Sequence, residues 1–283
     1  MAYLDRVHAC NGWEPAEFLP LRADGLTLGW IRPQFADHLR AWPAVFRVEA
    51  GQVRLADSLQ GLELRTQALA QVLEQLVAGG LLGYRHGELY PVGLVRDQPL
   101  FLLDRAAAAQ FGIRAYGQHL NGYVRDSGQI SLWVGRRSAN KRNFPGLLDH
   151  LAAGGLPHGL SLRQNLIKEC WEEAGVPSEL ASQAQPVGAI TYCRQTPAGL
   201  KPDTIYCYDL ELPAGFQPRC VDGEVEEFSL LPLDEVADLV KNTERFKANC
   251  SLVIIDFLIR HGWLGPETED YLDIIHGLHP PLP

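Results

Sequence analysis

Three glutamates stand close together in the middle of the chain: Glu169, Glu172 and Glu173. Spacings of three and four residues place side chains on one face of an α-helix. Like charges at this spacing repel by roughly 0.2 to 0.5 kcal/mol per pair in an isolated helix, and a divalent cation would remove that repulsion. Oxygen ligands suit Mg²⁺, which commonly bridges to substrate phosphates. The triplet therefore predicts a Mg²⁺ site, with Mn²⁺ as the alternative ion, although acidic triplets are also common on solvated helix faces.

The residues around the triplet predict the helix that holds it. Ser161 and Gln164 have the spacing of a capping box, and Gly175 supplies the stop, so the helix should run over 162–174. Its apolar residues form one stripe at helical spacing: Leu162, Leu166, Ile167, Cys170 and Ala174. The helix should therefore pack on a core and present its glutamates at the edge of that core.

With the glycine-rich stretch before it, this helix resembles the Nudix box, G-x5-E-x7-R-E-U-x-E-E-x-G-U with U aliphatic. The matching positions are Gly154, Glu169, Cys170 at the aliphatic position, Glu172, Glu173, Gly175 and Val176. Leu160 stands in place of the first Glu, and Lys168 in place of Arg, where it keeps the charge but loses the planar fork. The resemblance implies a Nudix α/β/α sandwich with a mixed sheet. It also implies an enzyme that hydrolyses diphosphates.

The resemblance assigns roles to particular residues. Metal ligands are expected from Glu169, Glu172, Glu173 and the backbone carbonyl of Ala153. Catalytic roles are expected from Glu172, Glu173 and Lys168. In this family an acid from the strand after the box often joins the metal cluster or activates water, and the candidates here are Glu224, Glu226 and Glu227, with Glu226 as the first choice. A solvated edge strand explains that acidic segment equally well.

Basic residues just upstream of the box are candidates for holding the phosphates of a substrate. They are Arg136, Arg137 and Lys141. Any one of them could serve solubility alone, but a cluster beside a Mg²⁺ site is where diphosphate oxygens need donors.

Four phrases sharpen the resemblance to one Nudix subgroup, at 119–124, 133–138, 148–155 and 245–250. They look like the Nudix portion associated with fungal thiamine pyrophosphokinase and its stand-alone relatives, which carry an extra amino-terminal domain (DUF4743-like). Leucine at the first box Glu looks like a trait of that subgroup. The resemblance implies hydrolysis of thiamine diphosphate, or of its oxidised or damaged analogues, to the monophosphate.

Three other functions are compatible with the same scaffold. One is hydrolysis of another nucleoside-diphosphate-linked substrate. A second is an isopentenyl-diphosphate-isomerase-like reaction, which would need Cys193 or Cys207 to face the metal. A third is a non-catalytic Nudix binding module, which Leu160 and Lys168 favour and the intact acidic triplet disfavours.

Composition sets the outer bounds. At 283 residues two domains are the better expectation, and 46% hydrophobic with 21% charged residues is ordinary for a globular chain. A net charge of −9 argues against a nucleic-acid surface, and no apolar run is long enough to span a membrane. The charged amino terminus does not look like a signal peptide, and six scattered cysteines suit a reducing cytoplasm. We expect a cytoplasmic protein with a small-molecule diphosphate substrate, and a homodimer is compatible with the sequence.

Pattern and turn signals divide the chain into an amino-terminal α+β domain of unknown role at 1–113 and a Nudix hydrolase domain at 114–283. In the first part we expect strands at 28–31, 45–48 and 53–55, a brief helix near 37–39 and a helix over 65–78. In the second we expect hairpins of 116–125 with 129–137 and of 187–193 with 204–212, a strand at 222–230, and two closing helices, one after Asp234 and one over 250–260.

Overall fold

The structure is a computed structural model that describes residues 2–283. Within that range the helices are α1 (Tyr3–His8), α2 (Pro33–Leu39), α3 (Leu62–Ala78), α4 (Ala108–Phe111), α5 (Leu162–Ala174), α6 (Ser178–Ala181), α7 (Leu233–Asn242), α8 (Ala248–Arg260) and α9 (Tyr271–Gly277). The strands are β1 (Leu19–Ala23), β2 (Leu26–Ile31), β3 (Phe46–Glu49), β4 (Gln52–Leu55), β5 (Leu89–Val92), β6 (Phe101–Asp104), β7 (Ala115–Asp126), β8 (Gln129–Arg137), β9 (Leu148–Asp149), β10 (Ala152–Gly155), β11 (Gln185–Thr196), β12 (Gly199–Glu211) and β13 (Val225–Pro232).

A mixed sheet in the second half of the chain carries the site. Its strand order is β11-β12-β7-β8-β13, with β10 added to β7 and β9 to β8. The strands β12 and β7 are parallel, whereas β7 is antiparallel to β8 and to β10. The expected mixed sheet is therefore present.

Alternating side chains give this sheet two buried faces, as expected for a sheet between helices. On β8, Trp133 packs into the core formed with α5, whereas Leu132 and Val134 pack into the core formed with α7 and α8. The same alternation on β12 sends Tyr208 to the α5 side and Cys207 to the α8 side. The predicted α/β/α sandwich is confirmed.

The first part of the chain has its own core. Its four-stranded sheet, in the order β2-β1-β4-β3, packs with α3 and the β5-β6 hairpin around buried apolar side chains. The buried positions of α3 are Leu69, Val72, Leu73 and Leu76, which fall on the predicted face. The first helix is different, because Tyr3 and Val7 of α1 are buried among residues of α7, α8 and α9 in the second half of the chain.

Most predicted elements are present, with bounds that shift by a few residues. The strand at 204–212 is longer than predicted, since β12 begins at Gly199 and takes in most of what we expected to be a loop. The prediction missed β1, β5, β6, α1 and α9, so the chain closes on three helices and not two. These elements are short, and short segments carry little periodicity. None of the helices within residues 2–283 combines the length and apolar character needed to cross a bilayer.

Gly112 follows α4 at the end of the first half and is packed closely against β2. Its φ is +56°, and a Cβ at this position would overlap the backbone carbonyl of Trp30 on β2. We expect Gly112→Ala to lower the free energy of unfolding by about 1 to 3 kcal/mol or more, because strained backbone and steric overlap add. The measurement is urea denaturation. Gly128→Ala is the matched control, since Gly128 has φ +83° but open space around it. Equal losses in the two variants would contradict the close contact.

Candidate active site

Helix α5 begins and ends where its sequence predicts. The Ser161 hydroxyl accepts a hydrogen bond from the Gln164 amide at 3.2 Å, and the Gln164 side chain accepts one from the Ser161 amide at 3.0 Å, which completes the capping box. Gly175 takes the left-handed conformation at the other end, with φ +63°. The buried Asn165 side chain donates to the Gln118 side chain and the Gly155 carbonyl, and so fixes the helix against β7 and β10.

Two of the three box glutamates face β10, where small residues leave room for them. A Cβ at Gly154 would overlap the carboxyl group of Glu169, so this glycine makes the space that the glutamate occupies. The Glu173 carboxylate accepts a hydrogen bond from the Ala153 amide at 2.6 Å and is only 6% exposed. The buried face of α5 therefore carries acids where it meets this strand.

The third glutamate is held on the outer side by Lys168. The Lys168 ammonium lies 2.6 Å from Glu172 Oε2 and 3.3 Å from Glu169 Oε1. Among residues 2–283, one group of three His, Cys, Asp or Glu side chains has its ligand atoms within 4.8 Å of one another. That group contains none of the box glutamates. The three box carboxylates are thus spread along the helix face, and Lys168 lies between two of them.

Negative charge is in excess at this helix face. Burial, with further repulsion from Asp149, Glu169 and Glu224, raises the pKa of Glu173 well above its usual value, against the opposing effect of the Ala153 amide. Burial also raises the pKa of Glu169, although Lys168 opposes the shift. A divalent cation would relieve this cost, so the donor chemistry and the charge of the site fit Mg²⁺ or Mn²⁺.

The three basic residues expected to bind phosphate are all paired with carboxylates. Arg136, half exposed, is paired with Glu227, and Lys141 with Glu224. Arg137 is buried: its guanidinium lies 2.7 Å from Asp149 Oδ2 and also donates to two backbone carbonyls, those of Asn143 and Phe144. Each of the three guanidinium nitrogens of Arg137 therefore has a partner within the fold, and its contact with substrate stays a prediction.

The acidic segment after the box reaches the site through Glu224. Residues 219–222 pass over the end of α5, where the amides of Val221 and Asp222 donate to the Glu172 carbonyl. Glu224 follows, close enough to act on the charge of Glu173. Glu226, our first choice from sequence, instead accepts a hydrogen bond from the Ala139 amide at 2.7 Å. Glu224 thus contributes to the charge around Glu173, whereas Glu226 is held at Ala139, and the choice of the additional acid stays a prediction.

The amino-terminal half contributes side chains that sequence reasoning missed. A Cβ at Gly155 would overlap the Tyr90 hydroxyl and lie 3.1 Å from Arg105 Cζ. Nη1 of Arg105 lies 2.7 Å from Glu88 Oε2. Burial alone would lower the pKa of Arg105, but the charges of Tyr90, Glu88 and Glu169 raise it. No spacing rule links residues 88–105 to the box, since only the folded backbone brings them together.

The two cysteines considered for an isomerase-like reaction lie away from the box. Cys193 is buried with Phe18 and Leu200, and Cys207 is buried on the α8 side of the sheet, whereas α5 lies on the other side. Trp171, on α5 itself, is 53% exposed, whereas Trp133 on β8 is buried. A cleft of about 500 Å³ lined by Tyr123, Asp209, Arg260 and His261 contains no box residue.

Comparisons with known proteins agree with this geometry. The family described as "NUDIX domain" matches residues 120–250, and "Domain of unknown function (DUF4743)" matches residues 2–115. The chain is 46% identical over 289 residues to "Nudix hydrolase 20, chloroplastic" of Arabidopsis thaliana, covering 98% of this chain and 77% of that protein. It is 44% identical over 281 residues to "Nudix hydrolase 24, chloroplastic" of the same plant, with the same coverage of both.

Other similar proteins have a lower sequence identity to this chain. A yeast protein from Saccharomyces cerevisiae, described as uncharacterized, is 38% identical over 219 residues, which are 72% of this chain and 63% of that protein. Among solved structures, a C. elegans Ap4A hydrolase binary complex aligns with a TM-score of 0.40 at 16% identity, covering 53% of this chain and 99% of that chain. The identity and coverage of the Arabidopsis proteins decide the assignment: this chain belongs to the Nudix hydrolases, enzymes that act on diphosphate linkages.

Proposed function

We propose that this Nudix hydrolase uses Mg²⁺ to cleave thiamine diphosphate, or an oxidised or damaged analogue, to the monophosphate. The observation that supports the metal-dependent chemistry is the acidic face of α5, where Glu169 and Glu173 are held against Gly154 and Ala153 with unbalanced negative charge. The choice of thiamine rests on the subgroup resemblance alone. Hydrolysis of another nucleoside-diphosphate-linked substrate is the alternative.

The residues that would hold the ion are Glu169, Glu172, Glu173 and the Ala153 carbonyl. When bound, the ion would supply neutralisation of phosphate charge and a more acidic water. Lys168 would orient Glu169 and Glu172 through its two contacts. For Glu172, the most exposed of the three, we propose the role of accepting a proton from the attacking water, with Glu224 as the alternative base.

Hydrolysis requires an oxygen of water to attack phosphorus while the bond to the bridging oxygen breaks and the leaving phosphate takes that electron pair. Donors must hold the phosphate that does not react. We propose Arg136 and Lys141 for this role, each exchanging its present carboxylate partner for phosphate oxygen. Arg137 acts indirectly, because it fixes Asp149 and the loop that carries Lys141.

The amino-terminal domain is proposed to form one wall of the substrate site. Backbone contacts join the two parts here, since the His158 amide donates to the Leu89 carbonyl at 2.7 Å. Arg105 and Tyr90 stand beside Gly155, at the same strand that carries Ala153 and Gly154. A cation at this position suits a phosphate or another anionic group of the substrate.

Cell compartment and assembly are also proposals. The six cysteines are free thiols, which supports a reducing compartment such as the cytoplasm. The names of the two Arabidopsis relatives place those proteins in the chloroplast. Neither a nucleic acid nor a membrane is expected as a partner of this acidic chain. A homodimer stays a prediction, which analytical ultracentrifugation would check.

The substrate prediction is tested with a panel of thiamine diphosphate, its oxidised analogues, ADP-ribose, NADH and nucleoside triphosphates, each with and without Mg²⁺. We expect Mg²⁺-dependent release of thiamine monophosphate or its oxidised form. Products are identified by mass spectrometry in ¹⁸O water, which also shows which phosphorus is attacked. Product with the mass of the substrate would indicate isomerisation, and no turnover on the panel, or turnover independent of metal, would reject the hydrolase proposal.

Glu173→Gln should make the metal-free protein more stable and at the same time lower its activity. A carboxyl whose pKa is raised by folding contributes stability below its unfolded pKa, and loses that contribution as pH rises through the folded value. In EDTA at pH 8 the variant should therefore resist urea better than the wild type, and the difference should shrink toward pH 4. Its kcat should fall by about 10² to 10⁴.

Mg²⁺ provides the second readout for this variant. The wild-type protein should gain resistance to urea on addition of Mg²⁺, whereas Glu173→Gln should gain much less, because a ligand that binds only the folded state stabilises it. Glu179→Gln, an exposed glutamate on α6, is the control and should behave as wild type. Equal stabilisation of all three proteins by Mg²⁺ would place the ion elsewhere.

Arg105→Ala tests the proposed wall. Loss of a hydrogen bond to a charged group typically costs about 1.5 to 3 kcal/mol, so we expect KM for the preferred substrate to rise roughly 10-fold or more. The fold should be intact, as checked by circular dichroism, and Arg47→Ala, an exposed arginine on β3, should leave KM unchanged. An unaltered KM in Arg105→Ala would remove the amino-terminal domain from the substrate site.

A further inference from the structure

Three buried side chains from distant parts of the sequence meet beneath the box. They are His119 on β7, His150 just after β9, and Cys250 in the first turn of α8. One ligand atom from each lies within 4.8 Å of the other two, and the Cys250 sulfur is 4.0 Å from His119 Nδ1. The two histidines are 4% exposed and the cysteine is fully buried. Each lies in one of the phrases that carry the subgroup resemblance, and the hydrolytic chemistry uses none of them.

One ring nitrogen in this cluster has no hydrogen-bond partner. The Nε2 atom of His150 is buried without a hydrogen-bond partner in the described structure. A buried polar atom without a partner typically costs about 1 to 3 kcal/mol, so a role that satisfies it is expected. Burial also lowers the pKa of both imidazoles, to about 4 for His150, and so keeps them neutral. Neutral imidazole is the form that binds metals.

We infer that His119, His150 and Cys250 form a second metal site, for a thiophilic transition-metal ion and in the first place Zn²⁺. Imidazole nitrogen and thiolate sulfur are both zinc ligands, whereas Mg²⁺ prefers oxygen, so this site would not compete with the box for its ion. Tetrahedral zinc ligands at about 2.0 to 2.3 Å lie roughly 3.3 to 3.8 Å apart. The present spacing therefore requires the side chains to move inward by about 1 Å, as rotamer adjustments allow.

The proton that the metal would displace is the thiol proton of Cys250, which is hydrogen-bonded to Asp149. The Cys250 thiol donates to Asp149 Oδ1 at 2.8 Å. Binding would exchange that S–H bond for a sulfur–metal bond and release the proton to solvent. No oxidant or reductant is needed.

Without a metal, the Cys250 thiol keeps its proton, because burial and the charge of Asp149 raise its pKa well above the usual value. Lys247 Nζ and Arg137 Nη1, which lie 3.3 Å and 2.7 Å from Asp149 Oδ2, act in the opposite direction and favour ionisation of the thiol. The displaced proton offsets one of the two charges of the ion. Asp149, which contacts Cys250 and is paired with Lys247 and Arg137, is the acidic residue beside the cluster.

A metal here would tie three elements together behind the active site. His119 is the register partner of Ala153, whose amide holds Glu173. His150 is two residues before β10, and Cys250 anchors the start of α8. The site would thus fix the strand on which the box glutamates rest. This inference does not depend on the proposed hydrolysis, because metal binding is measured without turnover.

The test uses the full chain purified without a metal-affinity tag, stripped with chelator and titrated anaerobically with Co²⁺ in excess Mg²⁺. We expect one Co²⁺ per chain with a thiolate-to-cobalt charge-transfer band in the near ultraviolet, and its bleaching by one equivalent of Zn²⁺. Cys250→Ser should abolish the band, and His150→Gln should weaken cobalt binding at least 10-fold, as loss of groups at metal sites does.

Cys207→Ser is the matched control. Cys207 is buried in the same core and is the register partner of His119 on the neighbouring strand, yet it lies outside the cluster, so the band should persist. Absence of the band in the wild-type protein would overturn the inference without any variant, as would a band that survives in Cys250→Ser. Near-ultraviolet circular dichroism confirms that each variant is folded.

Discussion

The site depends on a helix that buries carboxylates where an ordinary helix would bury apolar side chains. Burying a charged group costs free energy unless partners compensate, and here the partners are one backbone amide and one lysine. The glycine at 154 makes room for Glu169, and the cap at Ser161 with the left-handed Gly175 fixes where the helix stands. The charge that remains uncompensated is the basis of the divalent cation site proposed here.

Positive charge near the site is mostly committed to holding the fold. Arg137 and Lys247 both contact Asp149, and the presence of these cations keeps its pKa low although burial alone would raise it. Arg136 and Lys141 are paired with acids of the segment after the box. In a chain with a net charge of −9, an anionic substrate must therefore displace existing ion pairs or find cations elsewhere.

The amino-terminal half places a further cation near the box, Arg105, which is itself paired with Glu88. This half has a separate hydrophobic core. A backbone hydrogen bond from the His158 amide to the Leu89 carbonyl nevertheless joins the loop before α5 to β5. Arg105 and Tyr90 are thereby held at Gly155, one residue beyond the glycine that receives Glu169. The packing of α1 on the far side adds a second connection between the halves. The two parts thus meet at the strand that carries the chemistry.

The sequence determined what is local. The extent of α5, its cap, its stop and the common face of its glutamates follow from spacings within twenty residues, because helix geometry relates neighbouring positions rigidly. The hairpin strands and the long amphipathic α3 were predictable for the same reason. The short strands β1, β5 and β6 were not, since four or five residues carry too little periodicity to distinguish them from loops.

Only the tertiary structure decided which side chains from distant segments meet. It buried Arg137 against Asp149, held Glu226 at the Ala139 amide, placed Arg105 beside Gly155, and gathered His119, His150 and Cys250 into one cluster. The physical reason is that such contacts depend on strand order and on the packing of one layer against another. Neither quantity is encoded in the spacing of residues along the chain.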